Sequence, residues 1–269
     1  MNIISNFHTH STFCDGKHTP EEIVLEAIEK EFSSIGFSGH GYTPYDLRYC
    51  MKDAESYIAE IQRLQEKYAD RIPIYLGCEE DAFAPVDRSR YEYIVGSSHY
   101  YHVDGKYLPI DSSFDYFKAC LDAFKYDLPR MAEVYYSNFC AYISDRRPDI
   151  IGHFDLITKF DELSEPYFTG TPEYAKISEK YTLEALQSDC IFEVNTGAIS
   201  RGFRTSPYPH EDLLYLMKKQ RAKLILSSDS HQKETLDFYF EESKRYLYDL
   251  GFRQLYTLSR DGFAPYFIK

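Results

Sequence analysis

Short apolar stretches alternate with longer amphipathic stretches along almost the whole chain. The apolar stretches read as strands at residues 2–10, 33–40, 73–81, 91–100, 149–155, 191–197, 223–231 and 254–259. The stretches between them have helical periodicity, and Thr19-Pro20 with Glu22 forms the capping-box pattern of a helix start. Strands that alternate with helices at this spacing predict parallel strands joined by right-handed crossovers.

About seven such units, followed by a final strand, favour a closed α/β barrel. An open doubly wound sheet remains an alternative, because periodicity alone does not close a barrel. No low-complexity linker or repeat divides the 269 residues, so we expect one domain spanning residues 1–269. The long Tyr-rich segment from about Phe114 to Ile143 reads as one helical region.

Histidines and acids fall at the carboxyl ends of the predicted strands. The set comprises His8, His10, His40, Glu79 or Glu80, His99, His153, Asp229 and His231, with Asp15 just past the first strand. Strand-end side chains from many units converge at one end of a parallel barrel, which is where barrel active sites lie. Core histidines have no reason to prefer that end of every strand, so this joint placement predicts one shared site.

Imidazoles mixed with carboxylates are typical ligands of zinc, iron or manganese. About nine candidate ligands are too many for one ion. Around two ions these ligands would be crowded, whereas three ions could share them if one carboxylate bridged two of the ions.

Charge and composition exclude several classes of function. The formal net charge is −13 and there is no run of Lys or Arg, which disfavours binding to a nucleic-acid polymer. No apolar stretch approaches the length of a membrane span, and the N-terminal residues lack the pattern of a signal peptide. Six scattered cysteines without a CxxC pair suit reduced thiols, so we expect a cytoplasmic protein.

Seven stretches resemble the motifs of the polymerase and histidinol phosphatase (PHP) superfamily, in that family's order. They are FHTHSTFCDG, IGFSGHG, LGCEED, IVGSSHY, IIGHFDLITKF, EVNTG and SSDSH. The stretch SSHY, the insertion after it and the C-terminal GFRQLYTLSRDGFAPYFI are similar to the L-histidinol-phosphate phosphatase branch. This resemblance implies a distorted (β/α)7 TIM-like barrel of PHP type that hydrolyses L-histidinol phosphate to L-histidinol and inorganic phosphate in histidine biosynthesis.

The resemblance also implies three divalent ions and a distribution of their ligands. His8, His10, Glu79 and Asp229 would bind the first ion, Glu79 would bridge to a second held by His99 and His153, and Asp15, His40 and His231 would bind the third. The adjacent Glu80 is the alternative bridge. Neighbours on a strand face opposite sides, so only one of the two acids can point inward. A hydroxide between the first two ions would attack phosphorus, and Asp229 or His231 would relay a proton to the leaving oxygen.

Four further residues are candidates for contact with the substrate. Arg201 and Arg204 lie in the loop after the sixth predicted strand, where a guanidinium is suited to holding phosphate. Lys159 follows His153, and His102 lies beyond the fourth strand. A small phosphate ester is therefore the expected partner.

Two other functions remain open from the sequence. One is a PHP-type phosphoesterase that acts on a nucleotide or on phosphotyrosine. The other is a non-catalytic metal-binding barrel, which a complete ligand set with open coordination positions would argue against. The sequence does not define the oligomeric state.

Overall fold

A parallel barrel forms the centre of the molecule. The computed structural model describes residues 4–163 and 165–269. The barrel strands are β1 (Ser5–Asn6), β2 (Ser34–Phe37), β3 (Ile74–Asp81), β4 (Tyr93–Ser97), β7 (Ile150–Ile151), β8 (Ile191–Asn195) and β9 (Leu224–Ser227). They are adjacent in that order and pair in parallel, as the alternation of strands and helices predicts.

The first and seventh barrel strands meet just beyond their carboxyl ends. Thr9 and Ser230 form a parallel bridge, in which the His10 amide donates to the Ser230 carbonyl (2.8 Å) and the Ser230 amide donates to the His8 carbonyl (3.1 Å). The Asn6 side-chain amide also donates to Ser228 Oγ (2.8 Å). These bonds close the sheet, so the barrel alternative is confirmed over the open sheet.

Helices surround the barrel. Their bounds are α1 (Pro20–Glu29), α2 (Ala54–Lys67), α3 (Phe114–Ala123), α4 (Leu128–Arg146), α5 (Pro172–Ala185), α6 (Gly197–Ser200), α7 (Glu211–Lys219) and α8 (Phe240–Asp249). Short 3₁₀ turns occupy Arg88–Arg90, Leu156–Thr158, Leu186–Ser188 and Lys233–Thr235. The capping box predicted at Thr19 and Glu22 is present at the start of α1. None of the helices in the described ranges is long and apolar enough to cross a membrane.

Strand alternation sorts side chains between the barrel interior and the surrounding layers. On β3, Ile74, Leu76 and Cys78 pack outward under the helices, whereas Tyr75 packs inward. Gly77 also faces the interior, where an added Cβ would lie 2.3 Å from the Tyr93 ring. The interior at this level is therefore filled by apolar and aromatic groups, and the next inward position towards the carboxyl end is residue 79.

The sequence reading missed or misplaced three local features. A hairpin of β5 (Tyr100–Val103) and β6 (Lys106–Pro109) follows β4, with Asp104 and Gly105 at positive φ in its turn. Asp-Gly is a favoured hairpin turn, so this signal was available in the sequence. The helical segment predicted from about Phe114 to Ile143 is present as two helices, α3 and α4, with a break that the sequence reading missed, where Asp127 caps the second helix.

The C-terminal strand is also a hairpin. It consists of β10 (Gln254–Ser259) and β11 (Gly262–Phe267), and β10 pairs in parallel with β9 through Tyr256 and Ile225. Leu258 belongs to the same buried cluster as the barrel interior. The hairpin therefore extends the sheet and covers apolar side chains, while the prediction of a single domain over residues 1–269 stays a prediction.

Candidate metal centre

Most of the predicted ligand residues follow the barrel strands at a regular distance. His8, His99, His153 and Asp229 each lie two residues beyond the end of a strand, and His40 lies three beyond the end of β2. The carboxyl ends of parallel strands converge, so these side chains meet at the mouth of the barrel.

Glu79 lies at the centre of the converging histidines. Its carboxylate oxygens are within 3.5 Å of five imidazoles: His8 (3.2 Å), His10 (3.5 Å), His40 (2.8 Å), His99 (3.3 Å) and His153 (3.2 Å). Glu80 points to the opposite side of β3, towards Arg146. Of the two acids that the sequence left open, Glu79 is therefore the one that faces the cluster.

Asp229 joins the cluster from the opposite side of the barrel. Its Oδ1 lies 3.2 Å from His10 Nε2 and 3.7 Å from His8 Nε2. Its backbone has a positive φ of 47°, a conformation that Asp tolerates better than most residues. The segment at Gly197 packs closely against Asp229: a Cβ added at Gly197 would lie 3.0 Å from Asp229 Cβ and 2.9 Å from an Arg201 nitrogen.

Asp15, His40 and His231 form the more exposed part of the cluster, next to His10. His231 Nε2 lies 3.4 Å from Asp15 Oδ2, and His40 Nε2 lies 3.7 Å from Asp15 Oδ1. The rings of His10 and His231 stack with their centroids 4.1 Å apart. This part of the cluster has the residues that the family resemblance assigns to a third ion.

Four overlapping groups have ligand atoms within 4.8 Å of one another in the described part of the chain. They are His10–Asp15–His40–His231, His8–Glu79–His153, His8–His10–Asp229 and His40–Glu79–His99. Because several residues belong to two groups, the geometry brings all nine predicted ligands together without dividing them among ions. The number of ions and the ligands of each stay predictions.

Unpaired buried atoms fit the presence of cations. Within the described residues, His8 Nε2, His10 Nε2 and Glu79 Oε2 are buried without a hydrogen-bond partner of acceptable geometry. Such atoms are costly in a protein interior unless another group satisfies them. All three point into the same cluster, and imidazole nitrogen with carboxylate oxygen is the donor set that zinc and related ions prefer.

The pKa values of His10 and Glu79 keep these two ligands in protonation states that can bind a metal ion. Burial, together with the neighbouring His231 and His40, lowers the pKa of His10 to about 3, so its imidazole is neutral at pH 7. Burial opposes ionisation of Glu79, but the histidines His8 and His40 outweigh it and hold the pKa of that carboxyl well below its usual range. A neutral imidazole and an ionised carboxylate are the forms that bind a metal ion.

A cavity of about 450 Å³ opens over the cluster. Its walls include the predicted residues Arg201 and Lys159. Arg201 donates to Asp229 Oδ2 (2.9 Å), and Lys159 donates to Asp111 (3.1 Å to Oδ2). The cavity therefore combines the candidate metal ligands with the positively charged side chains of Arg201 and Lys159, in a volume suited to a small molecule.

Two of the predicted substrate residues lie elsewhere. Arg204 is buried, its guanidinium contacts Thr158 Oγ1, and it lies over the Tyr208 ring at 4.4 Å. His102 is exposed on the β5–β6 hairpin and stacks on Tyr107 with centroids 4.4 Å apart. Neither residue lines the cavity, because strand and loop geometry direct both side chains to other neighbours.

Sequence reasoning missed several residues of the cavity and its support. Asp46, Arg48, Tyr49 and Asp111 line the cavity from loops, and no residue pattern marked them. Glu193 of β8 accepts a hydrogen bond from His8 Nδ1 at 2.7 Å. An acid in an otherwise apolar strand was a usable signal, because carboxylates are rarely fully buried unless paired.

Comparison with known proteins assigns the family. The PHP domain model matches residues 6–197, which is more than half of the chain. The chain belongs to the PHP domain family. The motif resemblance noted in the sequence is thereby confirmed at the level of the family.

Curated relatives and solved structures extend over most of the chain. A protein of Schizosaccharomyces pombe is 29% identical, with 94% of this chain and 89% of the relative covered. The histidinol-phosphatase of Bacillus subtilis is 25% identical, with 87% and 96% covered. The structure of the Lactococcus lactis histidinol phosphate phosphatase, in complex with zinc, L-histidinol and phosphate, has a TM-score of 0.70 at 20% identity and covers 97% of this chain and 98% of its own. At that identity the structural likeness supports the PHP-type barrel fold.

Proposed function

We propose that this chain is a metal-dependent phosphatase that hydrolyses L-histidinol phosphate to L-histidinol and inorganic phosphate. The observation that carries the proposal is one cavity that brings together the histidine–carboxylate cluster, Arg201 and Lys159. The curated relatives that span most of the chain, among them the histidinol-phosphatases of Bacillus subtilis and Lactococcus lactis, support the choice of substrate.

We propose that the cluster holds three divalent ions of zinc, iron or manganese. Their ligands are His8, His10, Asp15, His40, Glu79, His99, His153, Asp229 and His231, with Glu79 shared between two ions. Ions held there would supply an activated water nucleophile and positive charge for the phosphate oxygens. They would also let a protein of net charge −13 bind an anionic substrate.

Arg201 is the stronger candidate for direct contact with phosphate. It lines the cavity, and its guanidinium is held in place by Asp229 through both the carboxylate (2.9 Å) and the backbone carbonyl (3.1 Å). A planar guanidinium fixed in this way is pre-organised to donate further bonds to phosphate oxygens. Lys159 offers a second positive charge in the same cavity, 2.7 Å from the Asp111 carbonyl.

The leaving oxygen needs a proton, and Asp229 is poorly suited to supply it. Burial opposes its ionisation, but Arg201 and His8 outweigh that effect and hold the pKa of Asp229 well below its usual range. Asp229 therefore stays ionised, as a metal ligand must. His231 is also a proposed ligand, but it is more exposed at the cavity wall, so it is the better of the two candidates for relaying a proton from water.

The cationic parts of histidinol need acidic or aromatic partners. Asp46 lines the cavity and accepts hydrogen bonds from Arg48 Nε (2.8 Å) and Tyr100 Oη (3.0 Å). Asp46 is paired with Arg48, which also lines the cavity, so the wall formed by these two residues and Tyr49 is aromatic and carries both signs of charge. The Tyr49 ring is the group on this wall suited to contact with an imidazole.

A substrate panel with measured metal content tests the proposed function. Purified protein is loaded with zinc, manganese or iron, and kcat/KM is measured for histidinol phosphate, a 3′,5′-bisphosphonucleotide and phosphotyrosine. We expect histidinol phosphate to be preferred by at least about tenfold. Preference for the nucleotide or phosphotyrosine would favour another PHP phosphoesterase, and no turnover in any fully loaded form would favour a non-catalytic metal-binding barrel.

The cellular setting is a separate part of the proposal. All six cysteines are free thiols, which supports a reducing compartment such as the cytoplasm. Fractionation of the source cells, with detection of this chain in the cytosolic fraction, tests that assignment.

A further inference from the structure

Glu193 is a fully buried carboxylate directly behind the histidine cluster. It lies on β8 with no exposed surface, and it accepts hydrogen bonds from His8 Nδ1 (2.7 Å), the His153 amide (2.8 Å) and Asn195 Nδ2 (2.9 Å). Its one ion pair in the described ranges is with His8. A buried carboxylate of this kind is costly unless its partners compensate for the lost water, so its position calls for a role.

The bond to Glu193 determines which nitrogen of His8 faces the cluster. Because the carboxylate can only accept, Nδ1 of His8 carries the hydrogen. The other nitrogen, Nε2, then bears the lone pair in the neutral ring and points at Glu79 Oε2 (3.2 Å). A carboxylate that fixes a ligand histidine in this way raises its basicity and restricts its rotation.

The same carboxylate also positions a second histidine. Nδ1 of His153 is buried without a hydrogen-bond partner in the described part of the chain, so no acceptor orients that ring directly. The amide of His153 is instead bound to the second oxygen of Glu193, while Nε2 lies 3.2 Å from Glu79. One side chain therefore connects the segments that follow β1 and β7.

His99 provides a contrast. Its Nδ1 lies 3.2 Å from Asp81 Oδ2, but Asp81 also accepts hydrogen bonds from the His99 amide (3.0 Å) and from Tyr45 Oη (2.7 Å). Asp81 therefore serves one histidine of the cluster, whereas Glu193 serves two from different strands.

We propose that Glu193 is a positioning residue that sets the metal affinity of the inner part of the cluster, by orienting His8 through its ring and His153 through its backbone. The inference rests on the proposed metal site. It goes beyond the proposed function, because Glu193 does not line the cavity and would act through His8 and His153.

The test is a metal titration of Glu193→Gln against the matched control Glu80→Gln. Both changes remove a fully buried carboxylate, but Glu80 faces away from the cluster. Metal-free proteins are titrated with Zn²⁺ against a competing chelator, and the absorption spectrum of the Co²⁺ forms is recorded. We expect Glu193→Gln to weaken binding by about 10- to 100-fold and to change the Co²⁺ spectrum, while Glu80→Gln leaves both unchanged.

A second variant, Glu193→Asp, provides an independent test of the same proposal. Glu193→Asp retains the carboxylate and is expected to recover part of the affinity; it serves as the test if Glu193→Gln does not fold. Zinc affinities and Co²⁺ spectra equal to wild type in the Glu193 variants would overturn the proposal. Because the titration needs no substrate, weak zinc binding by Glu193→Gln beside normal binding by wild type would support it even if histidinol phosphate were not hydrolysed.

Discussion

Glu79 and Glu80 are adjacent in sequence and equally buried, yet they belong to two different regions of the molecule. Glu79 faces five imidazoles at the barrel mouth, and its Oε2 has no hydrogen-bond partner of acceptable geometry among the described residues. Glu80 faces the outer layer, where its oxygens accept from Arg146 Nη2 (2.9 Å), Tyr142 Oη (2.9 Å) and the Val86 amide (2.7 Å).

The difference lies in what surrounds each charge rather than in burial. Glu80 has a permanently charged guanidinium and a complete set of donors, so the folded chain satisfies it without any other group. Glu79 is surrounded by imidazoles, which can lose a proton and bind a metal ion through the nitrogen lone pair. Glu79, whose oxygens are not fully hydrogen-bonded by the protein, is therefore the carboxylate suited to bind a metal ion, whereas Glu80 is suited to stabilise the fold.

The largest expected effect is on catalysis by Glu79→Gln. Loss of the shared ligand should lower kcat/KM for histidinol phosphate by at least about 1,000-fold, because charge stabilisation worth several kcal/mol depends on the ions it holds. Steady-state kinetics with measured metal content checks this. Near-normal turnover by a fully folded variant would remove Glu79 from the ligand set.

Glu80→Gln should affect stability instead. The change removes the fully buried partner of the half-buried Arg146 guanidinium, and we expect a loss of about 2 kcal/mol in the free energy of unfolding, as for a hydrogen bond to a charged group. Denaturant unfolding of the metal-free protein measures the loss. The comparison between the two acids would fail if this variant kept its stability and lost its metal instead.

Arg201 and Arg204 extend the comparison to the two arginines of one loop. Arg201→Met should lower kcat/KM by about 100-fold, since it removes a fixed donor aimed into the cavity. Arg204→Met is the matched control: it should reduce thermal stability while kcat and KM remain close to wild type, because its guanidinium contacts Thr158 and Tyr208 away from the cavity. Equal kinetic losses in both variants would contradict the placement of Arg204.

The smallest effect is expected for His102→Ala. His102 stacks on Tyr107 and does not line the cavity, so kcat/KM should stay within about twofold of wild type, as for a typical surface substitution. A rise in KM without a change in kcat would instead indicate that His102 contacts the substrate, as its position beyond the fourth predicted strand suggests.

The parts that the sequence predicted are those governed by simple periodicity. Alternation along β3 separates Glu79 from Glu80, and the rule that site residues follow parallel strands predicts the common location of His8, His99 and His153. These rules depend on spacing along one strand and on the parallel arrangement, both of which are readable from residue order.

The missed features depend on contacts between distant segments. Asp46 and Asp111 enter the cavity from loops whose direction is set by packing, and no period exists in such segments. Arg201 and Arg204 are the same residue type, three positions apart in the sequence. Only their contacts distinguish them: Arg201 binds Asp229, and Arg204 binds Thr158. Glu193 was readable as an anomaly in its strand, but its two histidine partners were not.

The bridge between Thr9 and Ser230 has a consequence for the order in which the protein assembles. Asn6 and Ser228, which bond beside it, are 222 residues apart. Closing a loop of that length costs about 5 kcal/mol of chain entropy, which early folding steps do not recover. During synthesis, His8 and His10 emerge from the ribosome long before Asp229 and His231 do. The complete cluster therefore exists only after the last barrel strand is made. An ion bound by residues of both the first and the seventh strand would hold these strands together and slow unfolding.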